Sequence, residues 1–163
     1  MPFKPIFETQ TITMTFSIKK TNSSDSDFIE LVKLLDAELA IIDGDEHGFY
    51  SQYNKVDKIN HVVLVYDGTN AIACGAIKEF SSAVMEVKRM FTLPNYRGKG
   101  AASMLLKELE KWTKKMNYEK CVLETGKRQE DAVALYLKNG YNVTPNYGQY
   151  IGIENSICFE KKI

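Results

Sequence analysis

Cysteine, histidine, proline and tryptophan are all scarce in this chain, and net charge is absent. The three cysteines, Cys74, Cys121 and Cys158, are an odd number. Each sits in an apolar run and no two have metal-pair spacing, so the reading is buried thiols in a reducing compartment instead of a disulfide framework. His47 and His61 stand too far apart to suggest a metal site, and no metal is expected. Lysine plus arginine equals aspartate plus glutamate, 21 each. No global field therefore favours nucleic acid or an anionic membrane as partner. No run approaches the roughly 18 consecutive apolar residues of a membrane span. Residues Met1 to Gln10 hold two prolines and lack the apolar stretch of a signal peptide. A cytoplasmic location is expected.

What is present suffices for one core. A length of 163 residues with 44% hydrophobic and 26% charged side chains fits a single soluble domain. Residues 1–15 read as a loosely ordered N-terminal extension and 16–163 as the domain. Phe16 to Lys20 is predicted as a first strand. The cluster Ser23-Ser24-Asp25-Ser26-Asp27 supplies helix-starting residues. Behind it Phe28, Leu31, Val32, Leu35, Leu39 and Ile42 recur at helical spacing until Gly44. Residues 45–58 are polar and aromatic without a period, a short helix or a loop. His61 to Tyr66 and Ala71 to Lys78, joined at Asp67-Gly68, predict a hairpin. Val84 to Leu93 follows as a strand ended by Pro94. On it alternation puts Glu86, Lys88 and Met90 on one side and Val87, Arg89 and Phe91 on the other.

The next helix shows Ala102, Leu105, Leu109, Trp112 and Met116 on one face and a Glu110–Lys114 pair on another. Cys121 to Thr125 reads as a strand, Gln129 to Asn139 as a helix closed by Gly140, and Tyr141 to Thr144 and Ser156 to Lys161 as two last strands. This order implies an α/β (α+β) fold with a mixed sheet and helices on its faces.

Chemistry concentrates where Met90-Phe91-Thr92-Leu93 runs through Pro94-Asn95-Tyr96 into Arg97-Gly98-Lys99-Gly100-Ala101-Ala102-Ser103. A strand enters a glycine turn that opens a helix. Glycine lets a ligand approach the backbone closely, and the first helical amides have no internal partner. The helix dipole adds positive potential, which suits phosphate or pyrophosphate. The Walker pattern is absent. A G-x-G-x-x-G dinucleotide fingerprint fails because the stretch from Gly98 ends in Ser103, and the turn follows a hairpin and not the first strand of a βαβ unit. A nucleotide-binding oxidoreductase and a merely solvated basic helix start stay open from the residues alone.

The stretch resembles the GNAT superfamily of acetyl-CoA-dependent N-acetyltransferases, over roughly residues 16–163. Arg97 to Ala102 matches its Q/R-x-x-G-x-G/A signature. Ala132-Val133-Ala134-Leu135-Tyr136 with Gly140-Tyr141 is similar to its A-x-x-L-Y…G-F/Y segment. The resemblance implies a mostly antiparallel sheet of about seven strands, splayed in the middle, in the acyl-CoA N-acyltransferase fold. It implies acetyl-CoA as cosubstrate and transfer of its acetyl group to a primary amine by direct attack in a ternary complex. The backbone of Arg97, Gly98, Lys99, Gly100, Ala101 and Ala102 would hold the pyrophosphate, and that of Met90, Phe91 and Thr92 the pantetheine arm. Gln129 stands where many members carry an Asn near the pantetheine. Tyr136 matches the tyrosine that protonates the departing thiolate, and Glu86, six residues before Thr92, is the expected base, with a water chain as the alternative.

For the acceptor, Glu124, Thr125, Arg89, Tyr147 and Tyr150 are the candidate contacts, with Asn155 beside them. Asp45, Glu46 and Glu124 would attract a cationic amine, whereas Arg89 would bind a carboxylate. A small-molecule acceptor is expected, with a protein amino group as the alternative. A catalytically weak acyl-CoA sensor on the same fold is the competing class. The chain would act as a monomer or a homodimer.

Overall fold

The computed structural model describes residues 15–52 and 58–163. The expected N-terminal extension up to residue 14, and residues 53–57, lie outside the described residues. Seven strands form one sheet in the order β1-β2-β3-β4-β5-β7-β6. They are β1 (Phe16–Thr21), β2 (His61–Asp67), β3 (Asn70–Ser81), β4 (Val84–Thr92), β5 (Lys120–Gly126), β6 (Asn142–Thr144) and β7 (Ser156–Lys162). The first four make an antiparallel meander. Strand β5 joins β4 in parallel, and β7 and β6 complete the sheet antiparallel.

Helix α1 (Ser26–Asp43) begins where Asp25 accepts a hydrogen bond from the Asp27 amide at 2.9 Å. It ends at Gly44, whose φ of +54° an L-residue rarely adopts. Phe28, Leu31, Val32 and Leu35 are its buried stripe, packed with Val62, Leu64, Cys74 and Phe91 on one face of the sheet. Helix α3 (Ala101–Lys115) covers the opposite face through Leu105, Leu106 and Leu109, all fully buried. Helix α4 (Glu130–Lys138) joins that second layer through Tyr136. The short α2 (His47–Ser51) follows α1, and its Tyr50 packs on Tyr150 and Cys158. All three cysteines are buried and unbridged.

Three sequence expectations change. The buried stripe of α3 runs through Ala101, Leu105, Leu106, Leu109 and Thr113, while Ala102, Trp112 and Met116 are only partly covered. Glu110 is buried and pairs with Lys161 of β7, not with Lys114, because a carboxylate under the sheet needs a partner from the sheet. The alternation on β4 is broken. Cys74 faces Phe91 and Ala76 faces Lys88, so Arg89 and Met90 together oppose Gly75. Arg89 is the extra residue of this bulge, at φ +58°. Met90 therefore packs in the α3 layer and Phe91 in the α1 layer, while Arg89 reaches Asp36 of α1. Glycine at 75 makes room for this: a Cβ there would lie 2.5 Å from Met90 Sδ.

The left-handed conformation costs a non-glycine residue about 1–2 kcal/mol. Two contacts hold it. The Arg89 side chain, 2% exposed, is ion-paired with Asp36, and the Arg89 carbonyl accepts a hydrogen bond from Cys74 Sγ at 3.3 Å.

Candidate active site

The bulge lies three residues beyond the point where the second neighbour of β4 leaves it. Strands β4 and β5 pair only at Val84↔Lys120, Met85↔Cys121 and Glu86↔Val122. Beyond Glu86 they diverge, and the edge of β4 that faces β5 has main-chain groups with no ladder on that side. Two adjoining cavities occupy the fork. One, of about 840 Å³, runs between the C-terminal half of α1, the end of β4, the start of α3 and α4. The other, of about 90 Å³, lies deeper, between β4, β5, α1 and the turn at 148–150. Leu35, Leu39, Met90, Gln129 and Tyr136 line both, so they mark the junction.

The larger cavity reaches the start of α3. Gly100 caps that helix at φ +87° and brings no side chain to its first-turn amides. Space around Gly98 and Gly100 is open: a Cβ at either would meet nothing within 4 Å. The groove thus ends at first-turn N–H groups that no side chain caps, at the positive end of a dipole, a geometry suited to an anion. Arg97 braces the turn from outside, with Nε donating to the Thr92 carbonyl at 3.0 Å and Nη2 paired with Glu38 at 2.9 Å.

The smaller cavity is rich in ionisable groups. Glu86 Oε2 accepts a hydrogen bond from Tyr147 Oη at 2.6 Å, and Oε1 lies 3.5 Å from Lys88 Nζ. Glu124 Oε1 is buried without a hydrogen-bond partner among the described residues. Burial pushes the Glu124 carboxyl up to about 7; Asp43 and Glu86 push the same way, against Ser156 and Lys88. Burial also raises Asp43, with His47 and Arg128 opposing. Tyr136 is pushed above its ordinary value by burial first and by Glu124 second. Its ring packs against Tyr141 and Phe159, at centroid distances of 5.9 and 5.8 Å.

Residues 28–141 match the family model described as the acetyltransferase (GNAT) family. The chain belongs to the acetyltransferase (GNAT) family. This GNAT domain is 31% identical over 100 residues to an uncharacterised N-acetyltransferase, YsnE, of Bacillus subtilis (strain 168). That alignment covers 60% of this chain and 66% of the relative. Among solved structures, a Klebsiella pneumoniae subsp. pneumoniae protein described as an acyl-CoA N-acyltransferase superposes with a TM-score of 0.77 at 27% identity. The match covers 92% of this chain and 99% of that one. PaiA N-acetyltransferase from Thermoplasma acidophilum, solved in complex with coenzyme A, gives 0.67 at 20% identity, over 92% and 100% of the two chains.

Nine of the ten residues that the GNAT resemblance assigned to the coenzyme line the large cavity; Lys99 does not, and its ammonium lies 5.7 Å above the Tyr96 ring. Gln129 is there as the N-cap of α4. Tyr136 and Glu86 meet in the small cavity, with Glu124, Thr125, Arg89 and Tyr150. Tyr147 stands outside its lining and reaches it through Glu86. Asn155 is one step back, donating to Tyr50 Oη at 3.4 Å. Arg89 is ion-paired with Asp36, which a substrate carboxylate would have to replace to take up the role the sequence suggested. Asp45 is exposed and Glu46 is paired with Arg128; neither lines the small cavity, whereas Asp43 does.

Asp43 and Arg128 are the residues that sequence reasoning missed. Asp43 is 4% exposed, and its position before Gly44 read only as a helix end. Arg128 Nη1 donates to the Ile42 and Asp43 carbonyls at 3.1 and 3.0 Å, tying α1 to the loop after β5. Among the described residues no cluster could hold a metal ion, and no helix is long and apolar enough to cross a membrane.

Proposed function

We propose that the protein is an acetyl-CoA-dependent N-acetyltransferase acting on the primary amine of a small molecule, in a cytoplasmic setting. The observation that carries this reading is the fork: one groove leads from unpaired helix amides to a small ionisable chamber, with Tyr136 at the junction. The neighbour that holds coenzyme A supports the same cosubstrate here. In this reading the diphosphate sits on the α3 amides, and the pantetheine amides replace the missing ladder along Met90 to Thr92. The thioester then lies at the chamber mouth. Direct attack in a ternary complex is the route we assign; all three cysteines are buried and none lines either cavity, which supports it over a cysteinyl-enzyme intermediate.

Three tasks remain for the chain: to free the amine lone pair, to stabilise the oxyanion and to let the thiolate leave. The backbone near Phe91 and Thr92 serves the second and Tyr136 the third. Glu86, the base expected from sequence, has both oxygens engaged, and we assign it the positioning of Tyr147 and Lys88. A chamber of about 90 Å³ has room for about three waters at roughly 30 Å³ each, which suits the amine end of a small acceptor.

The test is calorimetry with acetyl-CoA followed by thiol release with a panel of primary amines. Heat of binding and amine-dependent thiol release are expected. Coenzyme binding without turnover on any amine would favour the sensor, and heat with NADH in place of acetyl-CoA would favour the oxidoreductase. Gly100→Val adds a check on the anion site. The left-handed φ should cost about 1–2 kcal/mol of stability. The new side chain should fill the space open for the diphosphate and weaken acetyl-CoA binding by about tenfold or more, read by the same calorimetry.

A further inference from the structure

The chamber holds two acidic side chains that the reading above leaves without a task. We propose that Glu124 is the base that takes the acceptor's proton, and that with Asp43 it selects amines that carry no carboxylate. The inference rests on the acetyltransferase reading of the same site.

Position and pairing argue for it. Glu124 stands on β5, directly across the fork from β4, and lines the chamber into which the thioester would project. One of its oxygens is unpartnered, whereas both Glu86 oxygens are engaged by Tyr147 and Lys88. Around Glu124 are Asp43 from α1, Tyr50 from α2, Glu86 and Lys88 from β4, and Tyr136 from α4. Tyr150 and, from β7, Ser156 and Cys158 complete the surroundings. The two cations of the chamber are matched by partners, Lys88 by Glu86 and Arg89 by Asp36. Asp43 has His47 at 3.8 Å and feels Arg128, which is itself paired with Glu46. The remaining charge is negative, a field that draws an ammonium inward and repels a carboxylate. Burial places the Glu124 carboxyl near 7, where a proton acceptor works best.

The step balances without a further reagent. An ammonium N–H proton passes to the Glu124 carboxylate. The freed lone pair forms the N–C bond to the acetyl carbon, and the carbonyl π pair moves to oxygen. Collapse breaks the C–S bond as the sulfur takes the Tyr136 proton. The second nitrogen proton restores Tyr136, and Glu124 releases its own to solvent. Ammonium and acetyl-CoA thus give amide, free CoA thiol and one proton.

The test measures kcat/KM from pH 5 to 11 for three pairs: cadaverine and lysine, tyramine and tyrosine, ethanolamine and serine. Each amine should exceed its carboxylated counterpart by about tenfold or more. Its profile should be bell-shaped, with an acid limb near 7 from Glu124 and a basic limb at the acceptor's own value, about 10. Glu124→Gln should lower kcat/KM roughly a hundredfold at pH 8 and lose the acid limb, while Glu86→Gln keeps that limb.

Stability gives a second readout. Because the folded value lies above the unfolded one, the stability Glu124 contributes is complete below about 4.5 and lost as pH rises through about 7. Glu124→Gln should therefore raise Tm at pH 8 relative to wild type and leave it unchanged at pH 4.

A wild-type profile that rises in one limb to the acceptor's value overturns the assignment, even if no variant folds. An acid limb kept in Glu124→Gln, or amino acids preferred over their amines, does the same. Wild type that binds acetyl-CoA but releases no thiol with any of the six or with the wider panel of primary amines overturns the acetyltransferase reading itself.

Discussion

Tyr136→Phe should leave acetyl-CoA bound with a Kd within about twofold of wild type and lower kcat by about 10²–10⁴. The hydroxyl removed is the donor we assign to the sulfur. Burial and the Glu124 charge raise its ionisation above the ordinary tyrosine value, so it carries its proton throughout the neutral range. The ring, which packs on Tyr141 and Phe159, is kept in the variant. The loss should therefore fall on kcat, with little change in Tm. Single-turnover thiol release against calorimetric Kd separates the two effects, and equal turnover in the two proteins would remove Tyr136 from the reaction.

Phe159→Ala should cost about 3–5 kcal/mol, among the largest effects of a single core truncation. Phe159 is fully buried on β7, between Leu123 of β5 and Val143 of β6 in register, and its ring supports Tyr136 from behind. Its removal opens a cavity that three strands and a helix share. For a domain with about 5–15 kcal/mol of total stability the fraction lost is large. Urea unfolding should show a lower midpoint at unchanged slope, and Tm should fall by roughly 6–20 °C. Activity of the protein still folded should drop as well, because Tyr136 loses the wall that fixes its ring.

Most of the scaffold was legible because its determinants are local. Asp25 and Gly44 stand immediately before and after α1, and Asp67-Gly68 joins β2 to β3. The start of α3 declared itself through two glycines at positive φ beside a strand end. What stayed hidden depends on distant partners or on backbone that residue type does not announce. Arg89 takes a left-handed conformation in a sequence that reads as plain alternation, so the faces of Arg89, Met90 and Phe91 relative to Glu86 were misjudged. Glu110 finds Lys161 across 51 positions, which outweighs a helical neighbour four residues away. Asp43 lines the chamber at the end of α1, which Arg128, 85 positions on, ties to the β5 loop.

The inserted residue on β4 separates two properties that a strand normally binds together. Omit Arg89 in thought, and Glu86, Lys88 and Phe91 still point toward α1 while Val87 and Met90 still point toward α3. Facing is encoded by the residues that remain; direction is encoded by the one that was added. Deleting this one residue should therefore test the two separately: the facing of Val87, Met90 and Phe91 is expected to survive, and the course of β4 past Glu86 is expected to change.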